Sequence, residues 1–209
     1  MIAMQSTDQN VLSNWINSGA TGSMSYTEFR KLMDDLHLEG KVTGPNQDEH
    51  LLEYSKMNVH RMNRWDKHYT PAETLVEAAK LVTKRFTWLI ITEGWCGDSA
   101  QIVPAVEKIA ALNKNINTTY ILRDEHPEIM DLFLTNGSKS IPIIVCLDDE
   151  NNVLWKWGPR PAEGQELLLG LKAAGVPYEE QKERLHLWYA RNKQQALEPE
   201  FVELLKKMS

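Results

Sequence analysis

An α/β architecture, with a central mixed sheet flanked by helices and extra helices at both ends, is predicted by three observations. The run FTWLIITE, from Phe86 to Glu93, is apolar on both faces, as a strand buried between two helical layers must be. In the next segment, DSAQIVPAVEKIAALNK, Ile102, Ala105, Val106, Ile109 and Leu112 fall on one helical face, and the strand-like NTTYILRDE follows. These three segments make a βαβ unit with parallel strands. Last, SIPIIVCLDDENNVLWKW reads as strand, polar turn, strand, which is a hairpin.

Ahead of that core the chain predicts helices. NVLSNWINSG is a short amphipathic element closed by Gly19. In SYTEFRKLMDDLHLEG, Ser25 is a helix cap and Glu28, three residues on, completes a capping box, with Gly40 as the stop. GPNQDEH is a loop. DEHLLEYSKMNVHRMNRWDKHY then runs for several turns without Gly or Pro, with Leu51, Tyr54, Met62 and Trp65 near the helical period. In TPAETLVEAAKLVTK, Thr70 is expected as the cap and Pro71 at the first helical position. Beyond the βαβ unit, HPEIMDLFLTNG gives a short helix ending at Gly137, and PAEGQELLLGLKAAG a helix closed by Gly175. Residues 178–208 give one or two more helices, with an interruption at Pro199. The expected division is a helical extension at 1–75, a core at 76–176 and C-terminal helices at 177–209. No Pro/Gly/Ser-rich linker separates them, so they should pack as one unit.

Composition excludes several classes of function. The 209 residues are 42% hydrophobic and 25% charged, with a formal net charge of −6. That balance does not follow a phosphate backbone, so no nucleic-acid partner is expected. The opening stretch lacks the basic and apolar regions of a secretory signal, and no window approaches the roughly 20 apolar residues of a membrane span. A cytoplasmic protein without a membrane partner is the expectation. Two cysteines, Cys96 and Cys146, do not make a secreted disulfide framework, and no Cys/His cluster has zinc spacing. His60 and His68, if helical, lie about 12 Å apart, too far for one metal ion.

The chemistry centres on Cys96, where FTWLIITE ends and the next helix begins, between Gly94 and Gly97. The carboxyl end of a central strand is a common place for a site in α/β sheets. A helix N-terminus offers unpaired N–H groups and partial positive charge, both of which favour a thiolate. Ser99 is placed to reach the sulfur by its hydroxyl or its backbone N–H. Asp98 opposes the thiolate by charge. A moderate lowering of the thiol pKa is the expected balance. The plainer alternative is a small buried residue, since free cysteines are among the most buried. Arg61 and Arg64, three apart on one helix, are expected to form charged surface rather than a lid over the thiol.

The motif WCGDS, with Pro104 eight residues past the cysteine and SIPIIV further on, resembles the thioredoxin family. More narrowly, RDEHPEIMDLFLTNG, SKSIPIIV and WGPRP are similar to a group of bacterial thioredoxin-like proteins with helical additions at both ends. The resemblance implies a thioredoxin-like fold, with Cys96 as nucleophile and Trp95 before it. It implies a helix kink at Pro104 and a cis-proline at Pro142 facing the thiol. It also implies that the Ile141 backbone pairs with an extended peptide, while Trp95, Gly97 and Asp98 form the substrate face. Arg160 would approach the site to bind a carboxylate such as those of glutathione, or would stay a solvated loop arginine. Trp95 would shield the sulfur or pack as ordinary core. The departures bear on function. Ser99 replaces the resolving cysteine, Ile90 stands where thioredoxins carry a buried acid, and Asp98 replaces a proline. With Pro142 facing Cys96, Cys146 lies about 13 Å farther along the strand at roughly 3.3 Å per residue. A disulfide needs Cα atoms within about 7 Å, so Cys146 is read as core.

A single thiolate can start thiol–disulfide exchange, but an outside thiol must finish it. The expected function is monothiol exchange through Cys96, with Ser99 and Pro142 completing the catalytic set. Its partner would be a protein or a low-molecular-weight thiol or disulfide. The alternative is a redox-inactive binding or chaperone-like module on the same scaffold. An iron–sulfur carrier is disfavoured by Asp98, whose charge would lie beside an anionic cluster. No cofactor is called for.

Overall fold

Four strands form one mixed sheet in the order β2-β1-β3-β4. They are β1 (Phe86–Thr92), β2 (Ile116–Leu122), β3 (Ile143–Leu147) and β4 (Val153–Trp157). The computed structural model describes residues 5–209; residues 1–4, part of the opening stretch read above, lie outside the described residues. β1 pairs parallel with β2, Phe86 opposite Ile116, and antiparallel with β3, Ile90 opposite Ile144. β3 and β4 close the antiparallel hairpin. Because β1 is central and covered on both sides, Trp88, Leu89, Ile90 and Ile91 are all fully buried. Trp88 and Ile90 enter one apolar layer with Tyr120, Ile144 and Trp155, while Leu89 and Ile91 enter the other with Ile121, Ile143 and Val145. The strand periodicity of 2 thus feeds two cores rather than one.

The helices divide between these layers. The first layer takes side chains from α2 (Tyr26–Leu38), α3 (Glu49–His68), α4 (Glu73–Lys80) and α5 (Gly97–Ala110). From the C-terminal part it takes α8 (Tyr178–Asn192) and α9 (Leu197–Lys206), with Phe201 packed edge-on against Trp88 and Trp157. The second layer is covered by α1 (Ser6–Asn17) and α6 (Pro127–Met130), the latter running into a 3-10 turn at Asp131–Phe133. Leu12 alone of α1 is fully buried, and it anchors that helix. The last core helix is α7 (Ala162–Ala173). The backbone of Met24 bridges Tyr120 on the outer edge of β2, which leaves less of that edge open.

Local signals mark some helix ends and miss others. The capping box is present: Ser25 N–H donates to the Glu28 carboxylate at 2.7 Å, and Ser25 Oγ accepts the Glu28 N–H at 3.3 Å. The expected cap at Thr70 and first turn at Pro71 are corrected. α4 begins at Glu73, and the cap residue Ala72 donates its N–H to Glu198 Oε1 at 3.2 Å, so a carboxylate from α9 replaces the local cap. The expected break at Pro199 is likewise corrected. Pro199 lies in the first turn of α9, where a missing N–H forfeits no helical bond. The chain turns earlier, at Lys193 and Gln194 with φ of +51° and +72°. Gln194 is buried there and donates Nε2 to the Gln101 carbonyl at 2.5 Å.

Candidate functional site

The approach to Cys96 is clamped from the N-terminal helices. Asn58 of α3 is fully buried and donates Nδ2 to the Gly94 carbonyl at 2.9 Å. Gly94 N–H donates to Thr43 Oγ1 at 2.9 Å, and the Thr43 hydroxyl also bonds the Glu93 carboxylate. The other Glu93 oxygen accepts the Asp124 N–H at 2.9 Å. Burial raises the Glu93 carboxyl to about 7, against the hydrogen bonds from Thr43 and Asp124. Glu93, a carboxylate closing an apolar strand three residues before the cysteine, was visible in FTWLIITE. Its pairing with Thr43 was not, because 50 residues separate them.

Cys96 occupies the N-cap of α5. Its Sγ accepts the Ser99 N–H at 3.5 Å and lies 3.4 Å from the Ile141 carbonyl, to which the thiol donates. The Ser99 hydroxyl is buried with no hydrogen-bond partner among the described residues. Ile141 and Pro142 are buried, and the bond between them is cis. Gly158 seats against Pro142, where a Cβ would fall 2.2 Å from the Pro142 carbonyl oxygen. The expected lowering of the thiol pKa is reversed. Burial first and the Asp98 charge second push it up to about 11, against the opposing bonds from Ser99 and the Asp98 backbone.

Asp98 and Arg160 form a largely, though not fully, buried ion pair, each side chain 12% exposed, with Arg160 Nε 3.3 Å from Oδ1. Tyr189 of α8 donates its hydroxyl to the same Oδ1 at 2.6 Å, and Gln165 holds Arg160 Nη1 at 2.5 Å. Arg160 is therefore neither solvated nor free for a ligand carboxylate, because Asp98 already takes its charge. Gly97 lies under His186 of α8, with a Cβ there meeting the ring at 2.8 Å. Trp65 Nε1 donates to Gln101 Oε1 at 2.8 Å, which leaves Gln101 Nε2 to face His186 Nδ1 at 3.5 Å. His186 Nδ1 thus accepts, and Nε2 carries the proton toward the Gly97 side. Burial, then Arg61, lowers His186 to about 4, so the ring is neutral at pH 7.

The two α3 arginines part company. Arg61 comes to the site edge and donates to Asn58 Oδ1 at 2.8 Å, while Arg64 is exposed with its guanidinium 4.7 Å from the Trp65 ring centroid. Trp95 is half-buried under the Arg123 guanidinium, 4.6 Å from the ring centroid. Cys146 is fully buried in the layer of Trp88 and Trp155, whereas Cys96 belongs to the layer of Leu12 and Ile141, and both are free thiols. Among the described residues, no group of three or more His, Cys, Asp or Glu is placed to hold a metal ion, and no helix is long and apolar enough to cross a membrane. Asn58, Tyr189 and His186 carry no local sequence signal. They reach the site from helices about 40 residues before it and about 90 after it.

A cysteine at a helix N-cap, on the end of a central strand and beside an Ile–Pro strand start, defines a thioredoxin-fold site. The thioredoxin family model matches residues 44–189, more than half of the chain, and the chain belongs to that family. The match includes α3 and nearly all of α8, so the helices that clamp and cover Cys96 fall inside it. Among solved structures, the chain is similar to PA1234, a protein of unknown function from Pseudomonas aeruginosa. Identity is 17% and the TM-score 0.57, over 89% of this chain and 99% of that one. It is also similar to an HIV epitope-scaffold at 17% identity and a TM-score of 0.52, over 89% of this chain and all of that one. No curated protein matches the chain.

Proposed function

We propose that the protein carries out monothiol thiol–disulfide exchange through Cys96. The observation behind this is the placement of Sγ at the N-cap of α5, 3.5 Å from the Ser99 N–H, on the wall of an open cavity. In the reaction the Cys96 thiolate attacks one sulfur of R–S–S–R′. The Cys96–S–S–R bond forms as R′–S⁻ leaves. Ser99 offers no second thiol, so an outside thiolate must attack the mixed disulfide, regenerating Cys96 and carrying R away as a new disulfide. A protein thiol or a small thiol of a reducing, cytoplasmic setting would serve. The Ser99 N–H would stabilise the departing Cys96 thiolate. Pro142 and Ile141 would shape the strand beside the sulfur, and Trp95, Gly97 and Asp98 the mouth.

One observation favours a second reading. A thiol raised to about 11 is almost wholly protonated at neutral pH, as suits a binding module that has set redox chemistry aside. Mass spectrometry after incubation with a small disulfide separates the two. Exchange requires a mixed disulfide at Cys96 in a Cys146→Ala background, gaining yield as pH rises, and none in Cys96→Ser. A Cys96 that stays reduced at every pH at which the protein is folded would leave only the binding module.

A further inference from the structure

The cavity beside Cys96 is walled on one side by the α7–α8 hairpin, which supplies Leu168, Lys182 and His186. The hairpin is held together internally. Trp188 of α8 lies against Gly164 of α7, where a Cβ would meet its ring at 2.8 Å, and Trp188 Nε1 donates to Glu163 at 2.9 Å. Its grip on the rest of the chain is mostly polar. α7 buries only Gly164 and Leu171, and α8 only Gln181, Leu185 and Tyr189, whereas the ten residues of α9 bury Leu197, Phe201, Leu204 and Leu205. What ties α8 to the site is the Tyr189 bond to Asp98, the Lys182 bond to the Tyr54 hydroxyl and the contact of His186 with Gln101. Elements with few buried apolar side chains open at the lowest cost. Gln194, buried on the Gln101 carbonyl, fixes the far end of α8, and Lys193 beside it, with φ of +51°, is a natural pivot.

The closed hairpin has no place for a charged His186. Its Nδ1 accepts from Gln101 Nε2 at 3.5 Å, and Gln101 cannot turn over because Trp65 Nε1 holds its Oε1 at 2.8 Å. A proton on Nδ1 would therefore meet another donor. Arg61 of α3 lies over the same glycine: a Cβ on Gly97 would be 2.8 Å from the His186 ring and 3.6 Å from Arg61 Nη1. Arg64 of α3 reaches Gln101 Oε1 at 3.4 Å, and Lys182 stands one turn back on α8. The opposite charge that faces the ring, Asp98 of α5, is already taken by Arg160 and the Tyr189 hydroxyl.

We infer that the α7–α8 hairpin is a lid over Cys96, released when His186 takes up a proton. Protonation sets a cation against Arg61 and a donor against Gln101; swinging α8 outward relieves both and uncovers Gly97 and the sulfur. The lid governs access to Cys96, so it stands whether the thiol exchanges or the scaffold only binds. In the open hairpin His186 regains its ordinary value of 6.5, while burial and then Arg61 hold it at about 4 in the closed one. Closure is thus complete in its favour above 6.5 and weakens as pH falls from 6.5 toward 4. The opening constant should rise about fourfold at pH 6 and about thirtyfold at pH 5, relative to pH 8.

Hydrogen exchange of α8 amides between pH 8 and pH 5, corrected for the intrinsic rates, reads that constant. In parallel, Cys96 is titrated with 4,4′-dithiodipyridine in a Cys146→Ala background, its rate divided by that of N-acetylcysteine at each pH. The expected result is that α8 loses protection by these factors, that Cys96 reactivity rises in step, and that β1 amides keep their protection. His186→Gln, which cannot take up the proton, should flatten both curves. Arg61→Gln, which makes the closed site more tolerant of the proton, should shrink them. Protection of α8 that stays constant down to pH 5, an equal rise in His186→Gln, or an equal loss in β1 would overturn the lid. An acid-opened α8 with no mixed disulfide at Cys96 would keep the lid and remove the exchange reading; a mixed disulfide with an α8 indifferent to pH would do the reverse.

Discussion

Asp98→Asn tests what keeps the Cys96 thiol protonated. Asp98 and Arg160 are each 12% exposed, so the substitution leaves a guanidinium largely out of water without its counter-charge. Removing one partner of such a buried pair costs about 3–5 kcal/mol. Asparagine keeps an acceptor for the Tyr189 hydroxyl, so the low end, about 3 kcal/mol, is expected. For a chain of this size that is a fall in Tm of about 6–12 °C. The thiol should move the other way. Burial is the first cause of its raised pKa and the Asp98 charge the second. Asparagine removes the second and leaves the Arg160 cation facing the sulfur. The apparent pKa should drop from about 11 by at least about one unit, worth about 1.4 kcal/mol, giving about ten times more thiolate at neutral pH. The assay is the pH dependence of alkylation in a Cys146→Ala background, alongside thermal unfolding. A destabilised protein with an unchanged thiol pKa would mean that burial alone sets the thiol. An unchanged Tm would mean that water screens the pair.

Three further outcomes are expected. Gly97→Ala places a methyl 2.8 Å from the His186 ring, so the ring must swing aside and alkylation of Cys96 should speed up; an unchanged rate would show that His186 does not cover the thiol. Glu93 has a folded pKa of about 7 against an ordinary 4.5, so its folded form holds a proton that the unfolded chain releases first. Its share of the stability should therefore fall as pH rises from 4.5 to 7, by about 3 kcal/mol at most, while His186, lowered to about 4, adds stability over much of the same range; the Glu93 share is read in urea unfolding as a fall in the stability of the wild type relative to Glu93→Gln, which mimics the protonated acid. Ser25→Ala removes the capping box of α2 and should cost about 1 kcal/mol in the same assay.

Much of the fold was legible because its signals are local. FTWLIITE carries its double burial in composition, the face of Ile102, Val106 and Ile109 gives the crossover helix, and Ser25 with Glu28 gives a helix start within four residues. The misread ends are those settled at a distance. Ala72 is capped by Glu198, and the turn before α9 is fixed by Gln194 on the Gln101 carbonyl. No window around residue 70 or 195 contains those partners. The site divides the same way. Cys96, Ser99, Ile141 and Pro142 could be named from motifs, whereas Tyr189, His186 and Gln181 reach the site from a C-terminal helix whose sequence reads only as amphipathic.

The direction of the Cys96 shift turns on the relative size of two effects. A helix N-terminus contributes about 0.3–1 kcal/mol to an adjacent anion, less than one pKa unit. Desolvation of a fully buried group moves its pKa by up to about 3–5 units. A reading confined to residues 93–99 sees the helix end at full strength and the burial not at all. The burial comes from the Leu12 and Ile141 layer below and from α8 above, where Tyr189 draws Asp98 in and His186 lies over Gly97. The same helix that keeps the sulfur protonated also supplies Gln181 and Lys182 to the cavity beside it. Exposure of the thiol, its charge state and the shape of its cavity are thus coupled through α8. A ligand that shifts α8 would change all three at once, which a thiolate set only by its helix end would not do.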